Sequence, residues 1–340
     1  MSYDILRDEL KKDIIRNLYL FYGEEEYLKE YCLKQIEKSV VDDSTRTLNR
    51  IVLEGKIDIE KLIDNCETMP VFSDKKIVIV KNSGLFTSKN KGEEKTEKKG
   101  KQHDQLTLFL QSIPSYTYLI FYEEEIDKRI KYVNVINKNG LVVEFSYRKP
   151  AELTKWVIKV FKASKKEISM TAASMLVENC EAGMNSLLNE INKIISFMGD
   201  DRKVTEEIID KVCSKSVKGR IFDLTDAIAE KNSAKALELL NDLIVLKEPV
   251  PKILFMMTRQ LRQILEMKLL INEGLNEKEA ASKMNILPFI AGKLYKQAQR
   301  FTVDVLKAAI NQSLEMDIAI KNGRLDGRIA AELFIAGFCG

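Results

Sequence analysis

One turn near the start of this chain has the position, though not the composition, of a phosphate-binding loop. Residues 23–29 join an apolar aromatic run to a helical pattern, where a nucleotide-binding α/β protein carries GxxxxGK[ST]. That pattern supplies glycine-rich backbone amides, a lysine for the phosphates and a hydroxyl for magnesium. The turn here reads Gly-Glu-Glu-Glu-Tyr-Leu-Lys, and no other stretch matches. Three carboxylates at the start of the helix would repel a triphosphate.

A second candidate for nucleotide chemistry is the acidic run Glu123-Glu124-Glu125, which follows the apolar stretch 116–122. In ATPases an acidic strand end holds the magnesium that contacts the phosphates. Without a phosphate-binding loop, no triphosphate would be held beside these carboxylates. His103 is the only histidine. A single histidine excludes a His-based metal cluster and makes triad catalysis depend on one residue in a highly charged segment. The sequence therefore predicts no catalytic residue, no metal and no cofactor.

The cysteines and the overall charge exclude further classes of function. The chain has 54 basic and 51 acidic residues, so any contact with DNA must be local or shared with partners. No apolar run is long enough to cross a bilayer, and residues 1–15 lack the apolar core of a signal peptide, which predicts a cytoplasmic protein. Buried free thiols are expected at the scattered cysteines Cys32, Cys66, Cys180, Cys213 and Cys339.

The elements that must position any site change in type along the chain. Short β-branched or aromatic runs at 17–22, 48–53, 76–80, 116–122 and 141–145 predict five strands. Helical patterns at 24–38, 59–66 and 127–138 lie between them. Strands that alternate with helices predict a mostly parallel sheet covered on both faces.

Two breaks in composition divide the chain. Residues 88–104 are rich in Lys, Glu and Gly, which predicts a flexible surface loop. Its lysines could touch DNA, but interleaved glutamates favour a solvated loop. After Pro150 the strand signals stop and helical patterns continue to residue 340. Ser169 or Thr171, and Thr205, are suited to N-capping.

The helical patterns after Pro150 form two groups. Four patterns, at 151–163, 171–180, 184–198 and 205–214, predict a small helical domain. Longer patterns follow at 221–230, 234–246, 250–273, 287–300, 303–320 and from 324. Their apolar stripes need a separate bundle, or the helices of a neighbour, to cover them.

Several stretches, taken together, resemble the delta subunits of bacterial clamp loaders, which are relatives of AAA+ ATPases that keep the fold without the nucleotide chemistry. The resemblance runs almost from end to end, and it rests on the order and spacing of motifs that are individually weak. These motifs are Tyr-Leu-Phe-Tyr-Gly-Glu-Glu-Glu-Tyr-Leu at 19–28, Thr-Met-Pro-Val-Phe-Ser-Asp-Lys-Lys-Ile-Val-Ile-Val at 68–80, Leu-Leu-Asn-Glu-Ile-Asn-Lys at 187–193, Ile-Phe-Asp-Leu-Thr-Asp at 221–226 and Asp-Ile-Ala-Ile-Lys-Asn-Gly at 317–323.

The resemblance implies an α/β, AAA+-like domain over 1–148 with a five-stranded, mostly parallel sheet and no P-loop. A small helical lid domain over 149–215 and a helical collar over 216–340 would follow. The implied function is that of a non-enzymatic subunit that binds the sliding clamp and opens its ring for primed DNA. The implied partners are the clamp, a homodimer of beta subunits, the gamma and tau ATPase subunits and the delta-prime subunit, with no membrane.

The resemblance places the clamp contact on Met69, Val71 and Phe72. A flexible Met and an aromatic ring on a turn stiffened by Pro70 suit an interface anchor, because a stiff turn loses less entropy on docking. Family members often carry Leu where this chain has Val71, so a slightly weaker contact is expected. The competing interpretation is that Val71 and Phe72 begin the next strand and point into the core.

Three other questions stay open at this level. The turn Lys321-Asn-Gly-Arg324 suits either contact with primed DNA or an ordinary helix C-terminus. A divergent AAA+ nucleotide hydrolase is one alternative function, which ATP binding would favour. A helical scaffold protein unrelated to replication is another, which failure to bind any clamp would favour.

Overall fold

The computed structural model describes residues 2–87, 104–214, 216–286 and 288–339. The chain divides into two compact units, Met1–Arg148 with Gly183–Asn185, and Lys149–Ala182 with Ser186–Gly340. The second unit contains both helical regions, so their division into a lid over 149–215 and a collar over 216–340 stays a prediction. The loop predicted at 88–104 lies outside the described residues, apart from Asp104, and so does His103.

The first unit is an α/β domain around one five-stranded sheet. Its strands run in the order β2-β3-β4-β1-β5, and every pair is parallel. This confirms the predicted fold class. The elements are α1 (Ser2–Lys11), β1 (Leu18–Tyr22), α2 (Glu26–Val40), α3 (Arg46–Asn49), β2 (Arg50–Glu54), α4 (Ile59–Glu67), β3 (Lys76–Lys81), α5 (104–109), β4 (Thr117–Tyr122), α6 (Lys131–Asn139) and β5 (Leu141–Glu144).

The interior positions of the central strands are apolar because both faces of the sheet are covered. All five residues of β1 are buried. Leu18 and Leu20 pack with α4, α5 and α6. Phe21, which points to the opposite face, has its ring 5.0 Å from that of Phe145. Because helices cover both faces of the sheet, β1 lacks the alternation of apolar and polar residues that a half-exposed strand shows.

The first unit differs from the sequence prediction in the start of one strand, the start of one helix and the presence of an extra helix. The strand predicted at 48–53 begins only at Arg50, because the residues before it form the short helix α3. The helix predicted from residue 127 begins at Lys131. The backbone N–H of Asp127 instead donates to the carbonyl of Phe86. Helix α1 was not predicted, since its polar sequence buries only Leu6.

The second unit is mainly helical, with one small sheet. Its helices are α7 (Pro150–Ala163), α8 (Met170–Asn179), α9 (Met184–Met198), α10 (Glu206–Val212), α11 (Val217–Ala229), α12 (Ser233–Val245), α13 (Val250–Asn272), α14 (Glu277–Lys283), α15 (Pro288–Arg300), α16 (Val303–Lys321) and α17 (Gly327–Cys339). Residues of α11 to α17 share one apolar core. Ser169 and Thr205 cap α8 and α10 as predicted, accepting from the N–H groups of Ala172 and Ile208.

The expectation that strand structure ends at Pro150 is wrong in one place. Glu167–Ile168 (β6) and Lys203–Val204 (β7) pair as a parallel two-stranded sheet. Strands of two residues are too short to show any periodicity in the sequence. Across the described ranges, no helix combines the length and the apolar character needed to cross a membrane.

Candidate functional site

An exposed apolar loop lies between α4 and β3, and we call residues 68–75 the 68–75 loop. The side chains of Met69 and Phe72 are 75% and 90% exposed, and Val71 is 42% exposed. β3 begins only at Lys76. The interpretation of Val71 and Phe72 as core residues at the start of a strand is therefore wrong. The three residues that the sequence singled out form one solvent-facing apolar element instead.

The backbone of this loop is strained at its most exposed residue. Phe72 has φ +52°, in the left-handed region that bulky side chains avoid. This conformation costs about 1–2 kcal/mol, and a ring that is 90% exposed does not recover that cost by packing within the chain. Backbone strain of this kind concentrates at functional sites.

The start of the loop is held by side chains that satisfy the end of α4. Lys76, only 2% exposed, donates from Nζ to the backbone carbonyls of Asn65 (2.5 Å) and Thr68. Burial lowers the pKa of Lys76. The hydroxyls of Thr117 and Tyr116 donate to the neighbouring carbonyls of Cys66 and Glu67, each at 2.6 Å. Carbonyls at a helix end lack partners within the helix, so these bonds fix the point where the loop departs.

The middle of the loop is held by Asn49, a residue that sequence reasoning missed. Its amide oxygen accepts from the N–H of Val71 (2.7 Å), and its amide nitrogen donates to the carbonyl of Val71 (2.8 Å). The two residues are 22 positions apart, and no local pattern links them. The burial of Lys76 was missed for a different reason, because a charged side chain is normally expected at the surface.

The place where a nucleotide would bind holds the chain's own polar groups. In open parallel sheets, ligands bind at the carboxyl ends of strands where the strand order reverses, here between β1 and β4. Lys29, the seventh residue of the turn that starts at Gly23, is buried near the carboxyl ends of these two strands. Its Nζ lies 2.9 Å from Glu26 Oε2, donates to the carbonyl of Glu123 (3.2 Å) and lies 4.7 Å from the centre of the Tyr122 ring. These contacts occupy the lysine.

The acidic end of β4 is also used internally. Glu123 is buried, and its Oε1 accepts from the backbone N–H of Ser83 (3.0 Å) and from the Ser83 hydroxyl (2.5 Å). Burial raises the pKa of Glu123, although the bonds from Ser83 oppose the shift. This carboxylate therefore braces the segment that follows β3.

The raised pKa of Glu123 predicts that the stability of the fold depends measurably on pH. Because its folded pKa is raised above the ordinary 4.5, the folded state holds the proton more tightly than the unfolded state. The free energy of unfolding contributed by this group then falls as pH rises from about 4.5 through the raised pKa. Glu123→Gln should remove that part of the slope, because glutamine does not titrate. Its amide oxygen can still accept from Ser83, so the local structure should be kept. Urea unfolding of both proteins from pH 4 to 8 checks this, and equal slopes would contradict it.

The remaining candidate residues have structural explanations. Cys32, Cys66, Cys180 and Cys213 are buried free thiols as predicted, and burial raises the pKa of Cys66 to about 12. No cluster of three or more potential metal ligands occurs among the described residues.

The basic turn after α16 has the geometry of a helix C-terminus. Gly323 has φ +66°, and its N–H donates to the carbonyl of Ile320. The N–H of Arg324 donates to the carbonyl of Ala319, which completes a Schellman motif. Lys321 pairs with Asp317 at 2.6 Å. These contacts explain the turn without DNA.

Comparisons with known proteins agree on one family over most of the chain. Residues 19–146 match the family described as DNA polymerase III, delta subunit. Residues 218–338 match the family described as the C-terminal domain of that subunit. The two matches together include the 68–75 loop and the helices from α11 onward.

Individual relatives match the chain along almost its whole length. DNA polymerase III subunit delta of Bacillus subtilis (strain 168) is 29% identical over 338 residues, which cover 98% of this chain and 96% of the relative. The solved structure of the Bacillus subtilis DNA clamp loader delta protein (YqeN) is 28% identical. It matches with a TM-score of 0.52 over 100% of this chain and 99% of that chain. The chain therefore belongs to the DNA polymerase III delta subunit family.

Proposed function

We propose that this chain is a clamp loader subunit that binds the sliding clamp through the 68–75 loop and opens the clamp ring for primed DNA. The observation that carries the proposal is the exposure of Phe72 and Met69 on a loop that buried side chains hold at its start and middle. Family membership supplies the class of partner. The solvent-facing ring of Phe72, on a strained backbone, supplies the point of contact.

The chemistry of the loop suits a compact hydrophobic anchor. Burial of an exposed aromatic side chain together with an aliphatic neighbour is the kind of contact that dominates protein interfaces. A loop that is already ordered loses less conformational entropy when it docks. Met69 adds a flexible side chain that adapts to an apolar pocket.

The chain is proposed to work without hydrolysing ATP. The lysine and the carboxylate that a nucleotide site would need are paired with Glu26 and Ser83. In this proposal other subunits of the loader hydrolyse ATP, and this chain contributes by binding alone. The competing function, a divergent AAA+ hydrolase, requires that both internal pairings break.

The remaining partners are proposed from the family and from the second unit. Gamma or tau ATPase subunits and delta-prime would bind the helices after residue 216, and primed DNA would enter the assembled complex in the cytoplasm. Large apolar side chains are exposed on these helices, among them Val245, Phe255, Leu314 and Ile318. In this proposal these exposed apolar side chains would be covered by the helices of the neighbouring subunits.

Binding of the purified chain to the sliding clamp of the same organism tests the proposal. We expect tight binding by calorimetry, with a Kd that changes less than about 2-fold when Mg-ATP is added, because no nucleotide site is coupled to the loop. We also expect no ATP hydrolysis above background. Absence of clamp binding would overturn the proposal and favour a scaffold protein, whereas ATP turnover by the chain alone would favour the hydrolase.

A further inference from the structure

We infer that Asn49 is a positioning residue of the 68–75 loop: its side-chain amide holds the backbone of Val71, so that Phe72 stays presented to solvent. This inference rests on the proposed role of the loop as the clamp contact. Asn49 itself is 1% exposed and would not touch the clamp. Its effect on clamp binding would pass through the loop backbone.

The bonds between Asn49 and Val71 match both polar groups of one peptide residue. The amide oxygen accepts from the Val71 N–H, the amide nitrogen donates to the Val71 carbonyl, and the second amide hydrogen points to the carbonyl of Thr45 (3.3 Å). An amide side chain carries a donor and an acceptor side by side, as this pairing requires. The pairing also fixes the orientation of the amide, because a reversed amide would set oxygen against oxygen.

Asn49 is in turn anchored by a buried carboxylate. It ends α3, and the arginines on either side of it, Arg46 and Arg50, donate to the two oxygens of Glu37 at 2.6 and 2.7 Å. Glu37 is a buried residue of α2. Hydrogen bonds between charged groups are stronger than neutral ones. The anchor therefore runs from α2 through α3 to the loop.

The hold on Val71 acts on the neighbouring residue. Phe72 follows directly with φ +52°, and its ring points into solvent. An apolar loop without this hold would sample conformations that partly cover its side chains, and the apparent Kd rises in inverse proportion to the competent fraction. Asn49 keeps that fraction high in the free chain.

Asn49→Ala tests the inference in the full chain, with calorimetric titration against the sliding clamp. We expect a Kd about 10-fold higher, as two lost hydrogen bonds let the loop leave its competent conformation. The binding stoichiometry should be unchanged. Asn139→Ala is the matched control, since Asn139 lies in the same unit and donates to a carbonyl of its own helix. We expect its Kd to equal that of wild type.

A purely structural role would appear differently. It would lower the fraction of active protein, and hence the stoichiometry, while leaving the Kd of the active fraction at the wild-type value; that result would overturn the inference. Failure of the proposed function is separate, because the wild type would then not bind the clamp at all.

Hydrogen exchange of the wild-type chain decides the matter if Asn49→Ala does not fold. The Val71 amide should exchange at least about 10-fold more slowly than an unprotected amide, because it donates to Asn49. The Thr68 amide, which donates to the carbonyl of Asp64, serves as the protected reference. Exchange of the Val71 amide at the unprotected rate would overturn the inference.

Discussion

Replacing Val71 and Phe72 together with alanine is expected to weaken binding of the sliding clamp by about 100-fold or more, because truncation of an aromatic anchor costs several kcal/mol at an interface centre. The fold should persist, since Phe72 is 90% exposed and Val71 42% exposed. The free energy of unfolding should change by about 0.5 kcal/mol or less, as for other surface substitutions. Titration against the clamp and circular dichroism measure the two quantities.

Phe255→Ala is the matched control for this double variant. Phe255 is 66% exposed but lies on α13 in the second unit. The same truncation there should leave the Kd for the clamp unchanged. Wild-type affinity of the double variant would remove the 68–75 loop from the interface. Loss of the native circular dichroism would instead show that the two side chains support the fold.

Gly23→Ala is expected to destabilise the first unit by about 3–5 kcal/mol, from backbone strain and steric overlap together. Gly23 has φ +117°, and a Cβ there would lie 2.4 Å from the carbonyl oxygen of Phe145. That oxygen already accepts from the N–H of Glu25 at 2.8 Å. The glycine is thus required by the approach of two backbone segments, although it occupies the place where a phosphate-binding loop would begin.

Gly55→Ala separates the two causes of this effect. Gly55 has φ +80°, but nothing lies within 4 Å of the position of its Cβ. It should therefore cost only about 1–2 kcal/mol, from the backbone conformation alone. Native-state hydrogen exchange at β1 and β5 measures the first unit separately from the second. Equal destabilisation by the two variants would show that the Gly23 turn relaxes away from Phe145.

Much of the fold could be predicted because its signals are local. The strands were recognisable as short β-branched or aromatic runs, of which Leu18–Tyr22 is buried at every position, since a strand covered on both faces can be apolar throughout. Ser169 and Thr205 cap helices through bonds to residues three positions away. The family motifs likewise directed attention to Met69, Val71 and Phe72. What escaped prediction was either too short, as in β6 and β7, or too polar, as in α1.

The amino-acid sequence by itself therefore determined the succession of the main strands and helices along the chain, and the apolar residues of the 68–75 loop. Only the tertiary structure decided that this element faces solvent and which groups hold it there. Asn49 meets Val71 across 22 residues, and Lys76 is buried against the end of α4. The fold likewise placed Lys29 against the carbonyl of Glu123, 94 residues away. Such pairings depend on which segments the sheet brings together, and the free energy that favours them comes from burial, which acts between residues distant in sequence.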